Sequence, residues 1–168
     1  MYSIGEKVMY AGHGVCLIDG VEERMVDKKA VSYFVLQPLN HGQTLFYVPV
    51  HNPAALAKMR YLLTSDQIKA YLQSSAAFED CWIPEENRRK LRYKELANSG
   101  NFLAILQMYH TLLRQKELQL AAGRKFHLCD ENFLRDAKRI LDSELSIVFD
   151  VSVSEIPQLI ETLKNRID

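Results

Sequence analysis

The sequence predicts an α+β protein: a small N-terminal antiparallel β-sheet or barrel followed by an all-helical C-terminal domain. Three observations carry this. Up to about residue 52 the apolar residues fall in short, β-favouring runs separated by turn residues. From about residue 64 they recur with helical spacing. A hydrophobic content of 48% with only 7 Gly and 5 Pro is that of a folded chain and not of a disordered one. The expected division is residues 1–60 for the sheet domain and 61–168 for the helical domain.

In the first part, Val8 and Tyr10, then Val15, Leu17 and Val21, mark short strands. Ala11-Gly12-His13-Gly14 breaks the first run, and its two glycines suit a turn with unusual backbone angles. Asp27-Lys28-Lys29 is a turn between early strands, 31–37 is a strand, Asn40-His41-Gly42 is a turn, and 43–49 is a strand ended by Pro49. About five strands are expected, and so small a sheet must close or lean on a neighbour to manage its edges.

Beyond it, Asn52 is expected to cap a short turn before Ala54–Lys58. Thr64-Ser65-Asp66-Gln67 starts a helix whose apolar face holds Ile68, Tyr71 and Leu72. Residues 73–77 form a loop. Phe78-Glu79-Asp80-Cys81-Trp82-Ile83-Pro84 is aromatic and apolar, and Pro84 keeps it from being mid-helix. Pro84 is expected in the first turn of a helix reaching Ser99 and stopped by Gly100. A further helix covers 102–122, with apolar residues at 102, 105, 106, 109, 112, 113 and 120. Cys129-Asp130-Glu131 introduces one that fades near Asp150, and Ser152 or Ser154 starts the last. The result is a four- to five-helix domain.

Lys and Arg total 21, as do Asp and Glu, so the formal net charge is zero. This argues against coating nucleic acid by charge alone but leaves room for a local basic patch. The start, MYSIGEKVMYAG, lacks a basic stretch followed by an apolar core, so no signal peptide is expected. No run of 18 apolar residues occurs, and no membrane span is expected. The three cysteines, Cys16, Cys81 and Cys129, are far apart and form no CxxC pair. Free, buried thiols in a reducing cytoplasm are expected, with neither a disulfide framework nor a cysteine zinc site.

No HExxH, Walker A or GxSxG motif accompanies His13, His41, His51, His110 and His127. The chain is therefore expected not to be an enzyme and to need no metal or cofactor. An enzyme of unfamiliar type would instead show a deep pocket lined by polar groups around His13, His41 or His51.

Arg88, Arg89, Lys90, Arg92 and Lys94 place five positive charges in seven residues of a helix. Arg88 and Arg92 share a face, as do Arg89 and Arg92, and Lys90 and Lys94 form a neighbouring pair. Such a face suits backbone phosphates; equally, it suits solvent, with ion pairs back to Glu85 and Glu86. Trp82, the only tryptophan, precedes this helix. It is either a plug between domains or an exposed ring that packs at a base or duplex edge. Arg135, Lys138 and Arg139, joined by Arg124-Lys125 and diluted by Asp136 and Asp142, are a second basic cluster.

Nearly the whole chain resembles the CarD/CdnL family of bacterial transcription regulators. Ile4-Gly5-Glu6-Lys7-Val8-Met9-Tyr10 with Gly12-His13-Gly14-Val15 resembles the family's opening. Tyr33-Phe34-Val35-Leu36-Gln37-Pro38 and Leu45-Phe46-Tyr47-Val48-Pro49-Val50 with Asn52 resemble its next strands. Cys81-Trp82-Ile83, Arg88, Tyr93-Lys94-Glu95-Leu96, Asn98-Ser99-Gly100-Asn101, Asp130-Glu131, Ala137-Lys138-Arg139-Ile140-Leu141 and Ser143-Glu144-Leu145 follow in family order.

The resemblance implies a Tudor-like N-terminal domain that binds the RNA polymerase β subunit. It also implies a helical domain that contacts promoter DNA at the upstream edge of the transcription bubble and changes open-complex stability. Carried over, Trp82 is the wedge, and Arg88, Arg89, Arg92 and Lys94 are phosphate contacts, with Lys138 and Arg139 as minor ones. Arg24 falls where an arginine often contacts polymerase, and Tyr47 where many members have another arginine. In many members the tryptophan directly precedes the Asn/Ser-Arg-Arg start of the basic helix; here Ile83-Pro84-Glu85-Glu86 intervene before Asn87-Arg88-Arg89. The alternative is an interaction module that binds polymerase or another protein without touching DNA, with Trp82 buried between domains and residues 88–94 paired with acids. A bare sheet edge also allows homo-oligomers through the N-terminal sheet.

Overall fold

The computed structural model describes residues 2–40 and 44–164. The expected turn at Asn40-His41-Gly42 and the start of the strand at Gln43 lie partly outside these residues. Five strands, β1 (Lys7–Tyr10), β2 (Val15–Val26), β3 (Lys29–Pro38), β4 (Phe46–Pro49) and β5 (Met59–Tyr61), form one antiparallel sheet in the order β4-β3-β2-β1-β5. Six helices are described: α1 (Pro53–Leu56), α2 (Ser65–Gln73), α3 (Glu86–Asn98), α4 (Phe102–Ala121), α5 (Leu128–Phe149) and α6 (Ile156–Lys164). The molecule is α+β, with the sheet first.

Alternation along the strands explains how the sheet serves two cores. Val8, Cys16, Ile18, Phe34, Leu36, Val48 and Met59 point to one side and form the sheet's own core, which Ala55 and Leu56 of α1 help to cover. Met9 and Val15, one residue out of phase with Val8 and Cys16, join the helical core with Tyr93, Ile105, Met108, Leu112 and Ile140. A strand has period two, so β1 and β2 feed both sides at once. Burial of each such side chain stabilises by about 1.5–3 kcal/mol.

β2 and β3 run past their neighbours as a two-stranded ribbon. Asp27 and Lys28 turn it with φ of 49° and 63°, the two-residue geometry that fits the right-handed twist of a hairpin. Val21, Met25 and Val26 are exposed on this ribbon. The fifth strand is the short Met59–Tyr61, a stretch for which the sequence predicts no element. It pairs with β1, Met9 opposite Arg60.

The helix starts follow capping chemistry. Thr64 and Gln67 form a reciprocal capping box at α2, Asn101 accepts from Ala104 N at α4, and Ser152 with Glu155 caps the approach to α6. At α3 the cap is Glu85, whose carboxylate accepts from Asn87 N and Arg88 N. Pro84 therefore lies just outside the helix and not in its first turn. Residues 75–78, expected as loop, form a 3-10 turn. Leu120, expected on the buried face of α4, is 57% exposed. Of the cysteines only Cys16 is buried; Cys81 and Cys129 are half-buried. Burial pushes the Cys16 thiol up to about 12, which keeps it protonated.

Sheet and helices join through polar contacts around Glu144 of α5. Its side chain is fully buried. It accepts from both terminal nitrogens of Arg60 at 2.6 and 2.7 Å and from Leu63 N at 2.9 Å. Arg60 Nε also donates to Gly100 O at 2.6 Å. Next to it, Ser143 Oγ accepts from Val15 N at 2.8 Å, and Arg139 donates to Gly12 O at 2.8 Å. Gly12 and Gly14 are small because the helices come close. A Cβ on Gly12 would lie 2.8 Å from Asn98 Oδ1, and one on Gly14, whose φ is +86°, would lie 2.7 Å from Ser143 Oγ.

Two expected outcomes follow from this junction. Glu144→Ala leaves Arg60 and Leu63 N without their acceptor and lowers unfolding free energy by about 3 kcal/mol in urea titration. Gly14→Ala forces both a left-handed alanine and a clash with Ser143 and costs about 1–3 kcal/mol. Gly20→Ala, whose Cβ would meet nothing within 4 Å, changes stability by less than about 0.5 kcal/mol.

Candidate nucleic-acid interface

Residues 80–84 carry Trp82 in an irregular segment ahead of α3, and side chains of the helical domain hold its backbone. Thr111 Oγ1 of α4 accepts from Cys81 N at 3.1 Å. Tyr93 of α3 donates its hydroxyl to Cys81 O at 3.3 Å. Asp80 Oδ1 accepts from Trp82 N at 3.0 Å. Arg89 Nη1 donates to Ile83 O at 2.8 Å and to Pro84 O at 3.2 Å. Trp82 itself is half-buried, with Arg89 Cζ 4.2 Å from the indole centroid. Its indole N–H has no hydrogen-bond partner among the described residues, and no buried side-chain N or O lacks one, so the indole nitrogen is not completely buried. All described polar and ring contacts of residues 80–84 are with helical-domain residues, and Trp82 packs against the helical core.

Arg89 is a correction. Expected on the phosphate-facing surface, it is only 3% exposed. Nε and Nη2 donate to the two carboxylate oxygens of Asp130, each at 2.9 Å. Asp130 is itself 1% exposed. The physical reason is spacing: Arg89, Tyr93, Leu96 and Ala97 form the buried stripe of α3, and Arg89 sits on it. Burial alone would lower the guanidinium pKa, but the hydrogen bond and charge of Asp130 outweigh it and the value is raised. Burial likewise raises the phenol of Tyr93, next to this pair.

The rest of the basic run faces outward. Arg88 and Lys94 are exposed and carry no ion pair among the described residues. Arg92 is exposed and reaches Glu95 at 3.2 Å, while Lys90 pairs with Glu86 one turn back. The Lys90 ammonium, through its hydrogen bond, holds the Glu86 carboxyl below the usual carboxylate range. These are solvent-screened pairs worth little to stability, and a phosphate can displace them.

Of the second basic cluster, Lys138 is exposed and Arg139 is half-buried. Lys138 is tied to Asp142 one turn on. Arg139 is turned to Gly12 O at the junction with the sheet. Both line shallow clefts beside the sheet, with Asn40 or Phe46.

Arg24 and Tyr47 come together although β3 separates their strands. Arg24 Cζ lies 3.5 Å from the Tyr47 ring centroid, and its Nη2 is 3.3 Å from Glu22 Oε2. The pair sits beside the β4 edge of the sheet, and Arg24 remains half-exposed.

Among the described histidines, His13 stacks on Tyr10 and Phe46, with centroids at 5.3 and 4.1 Å. Burial, then Arg139 and Lys58, lower its pKa. His51 is exposed on the turn before α1, and His41 lies outside the described residues. A cleft of about 310 Å³ opens elsewhere, between α2, α4, α5 and α6, and Leu72, Phe102, Leu106, Leu141, Leu145 and Ile160 make it mainly apolar.

Local spacing missed Asp130, Glu144 and Thr111, which orient the segments around them from 30 to 84 residues away. A signal for two of them exists: Asp130 and Glu144 both fall on the apolar stripe of α5 with Leu134, Ala137 and Leu141. An acid on such a stripe needs a buried cation. The expected result is that Arg89→Ala lowers unfolding free energy by about 3–5 kcal/mol, because it strands Asp130. Arg88→Ala changes it by less than about 0.5 kcal/mol in the same denaturant titration.

Comparison with known proteins agrees with the sheet. Residues 2–60 match the family model described as the CarD-like/TRCF RID domain. No curated protein matches the chain. Among the described residues no helix is long and apolar enough to cross a membrane. The five-stranded N-terminal domain is thus a Tudor-like, RNA-polymerase-interacting domain similar to the CarD-like/TRCF RID domain.

Proposed function

We propose that this chain is a cytoplasmic transcription regulator that acts by binding and not by catalysis. Its N-terminal sheet binds the β subunit of RNA polymerase, with Arg24 and Tyr47 in the contact. Its helical domain sets Trp82 against promoter DNA near the upstream edge of the bubble, with Arg88, Arg92 and Lys94 on the phosphates, and so changes the lifetime of the open complex.

The observation that carries this reading is the setting of Trp82. The largest aromatic side chain of the protein is only half-buried, on a segment whose backbone is held by side chains of two helices, α3 and α4, next to the basic run with Arg88, Arg92 and Lys94 turned to solvent. A rigid apolar edge flanked by phosphate-seeking cations suits a duplex end or kinked step. These groups contact backbone and ring faces, so sequence specificity is low. On the other side, β4 has a neighbour on one flank only, and strand addition at such an edge is a physical route to polymerase. The same edge allows two copies to pair, which competes with polymerase.

A second reading, a polymerase-binding module that does not touch DNA, is favoured by one observation: Arg89, Lys90 and Arg92 are each paired with an acid. One experiment separates the two. Open promoter complexes are formed with polymerase of the source organism alone, with wild type and with Trp82→Ala, and polymerase affinity is measured separately. Wild type is expected to change the lifetime, and Trp82→Ala to return it to that of polymerase alone while polymerase binding is kept. The triple variant Arg88→Ala, Arg92→Ala, Lys94→Ala is expected to reduce the slope of log affinity against log salt by about 2 to 3. A wild-type protein that binds polymerase and leaves the lifetime unchanged selects the second reading.

A further inference from the structure

Arg89 is the buried cation of the basic run, out of reach of a phosphate, yet it touches Trp82, Ile83, Pro84 and Asp130. Its planar guanidinium presents N–H groups only in its plane. In that plane Nε and Nη2 are taken by the Asp130 carboxylate, and Nη1 by the carbonyls of Ile83 and Pro84. That takes four of its five N–H donors, and Cζ lies over the indole ring of Trp82, 4.2 Å from its centroid. The four in-plane hydrogen bonds fix the plane, and the plane fixes the ring.

We propose that Arg89, oriented by Asp130, is the positioning residue for Trp82: it holds the indole in one pose and ties down the Ile83-Pro84 step that separates Trp82 from the basic helix. This rests on the reading of Trp82 as the DNA-contacting group. Each part has a physical reason. A tryptophan on an irregular segment has two free side-chain torsions, and a ring that must be ordered on binding costs affinity. Stacking on a desolvated cation is worth more than on an exposed one, and this cation is 3% exposed. The cation also stays charged, because the carboxylate beside it is buried at 1% exposure and has no other cation within the described contacts.

The substitution that separates this role from a charge role is Arg89→Lys. It keeps the positive charge facing Asp130 and loses the planar fork, with its tethers to Ile83 and Pro84. Trp82 is the only tryptophan, so its emission reports the ring directly in the full-length protein. Arg89→Lys is expected to keep its far-ultraviolet circular dichroism and its polymerase affinity. Its Trp82 fluorescence is expected to be quenched by acrylamide about threefold more readily, and its effect on open-complex lifetime to fall to the level of Trp82→Ala. Asp130→Asn, which keeps the shape of the partner and removes its charge, is expected to move both readouts in the same direction by less.

A readout that needs no change at Arg89 guards against misfolding. In wild type the Arg89 side-chain protons carry a ring-current shift in the proton magnetic resonance spectrum, and Trp82→Ala abolishes it. Absence of that shift, or an Arg89→Lys variant with unchanged quenching and unchanged lifetime effect, overturns the proposal. If instead Trp82→Ala leaves the lifetime as wild type does, the DNA-contact reading falls, whereas the quenching and ring-current results still decide whether Arg89 holds the ring.

Discussion

The buried carboxylate of Glu144 is the constraint on which the arrangement of this molecule depends. Removing a carboxylate from water costs several kcal/mol, and the interior must return that through geometry. Here the return comes from the Arg60 fork and Leu63 N. Arg60 belongs to β5, the edge strand that ends the sheet, and Leu63 to the step into α2. One carboxylate therefore fixes where the sheet stops and how the helices begin. Ser143 and Arg139, its neighbours on α5, add bonds to Val15 N and Gly12 O. The junction is specified by directed polar contacts as well as by Met9 and Val15, so the two parts have one relative orientation. For a polymerase-interacting sheet this matters, because whatever the helices carry is delivered to a fixed place.

The chain's charge makes sense in the same terms. Its 21 cations equal its 21 anions, and the arginines best placed by sequence for an electrostatic surface are partly spent inside. Arg60, Arg89 and Arg139 all hold backbone carbonyls, and the first two also hold buried acids. Arg88 and Lys94 remain unpaired among the described residues, and Arg92 is weakly paired. So thin a cationic surface gives low affinity for DNA by itself. Such a surface becomes useful when another contact supplies proximity, and the N-terminal domain is of a kind that supplies one.

Much of this was legible in sequence, and the divide between what was and what was not is physical. Local chemistry could be read. The Thr64-Gln67 and Ser152-Glu155 caps, the Asp27-Lys28 turn, the stop at Gly100 and the apolar stripes of α4 and α5 all depend on residues within a few positions of each other. The order of motifs resembling the CarD family then gave the sheet its Tudor-like identity, which the match over residues 2–60 bears out. What failed was grouping by charge. Arg89 was placed with Arg92 on their three-residue spacing within the basic run, although its four-residue step to Tyr93 and eight-residue step to Ala97 set it on the buried stripe. Similarly, β5 is only three residues long, pairs with β1 from a distant part of the chain, and carries Arg60, which is held from α5. Pairs such as Arg89–Asp130 and Arg60–Glu144 are 41 and 84 residues apart, beyond the reach of any local rule.

Those two pairs are the same device used twice on one helix. Asp130 and Glu144 lie on a single stripe of α5, each buried, each gripping the fork of an arginine from another element. Fourteen residues of α-helix separate them, about 21 Å at the usual rise. One end of α5 anchors the sheet through Arg60; the other anchors the platform of Trp82 through Arg89. A helix resists compression and bending far better than the loops it connects, so the distance between the polymerase-interacting sheet and the tryptophan is set by the length of α5 between two acids. Shifting either acid by one position would turn it by about 100° off the buried stripe and lose its arginine. The spacing of these two carboxylates thus does for the position of Trp82 what the guanidinium of Arg89 does for its orientation.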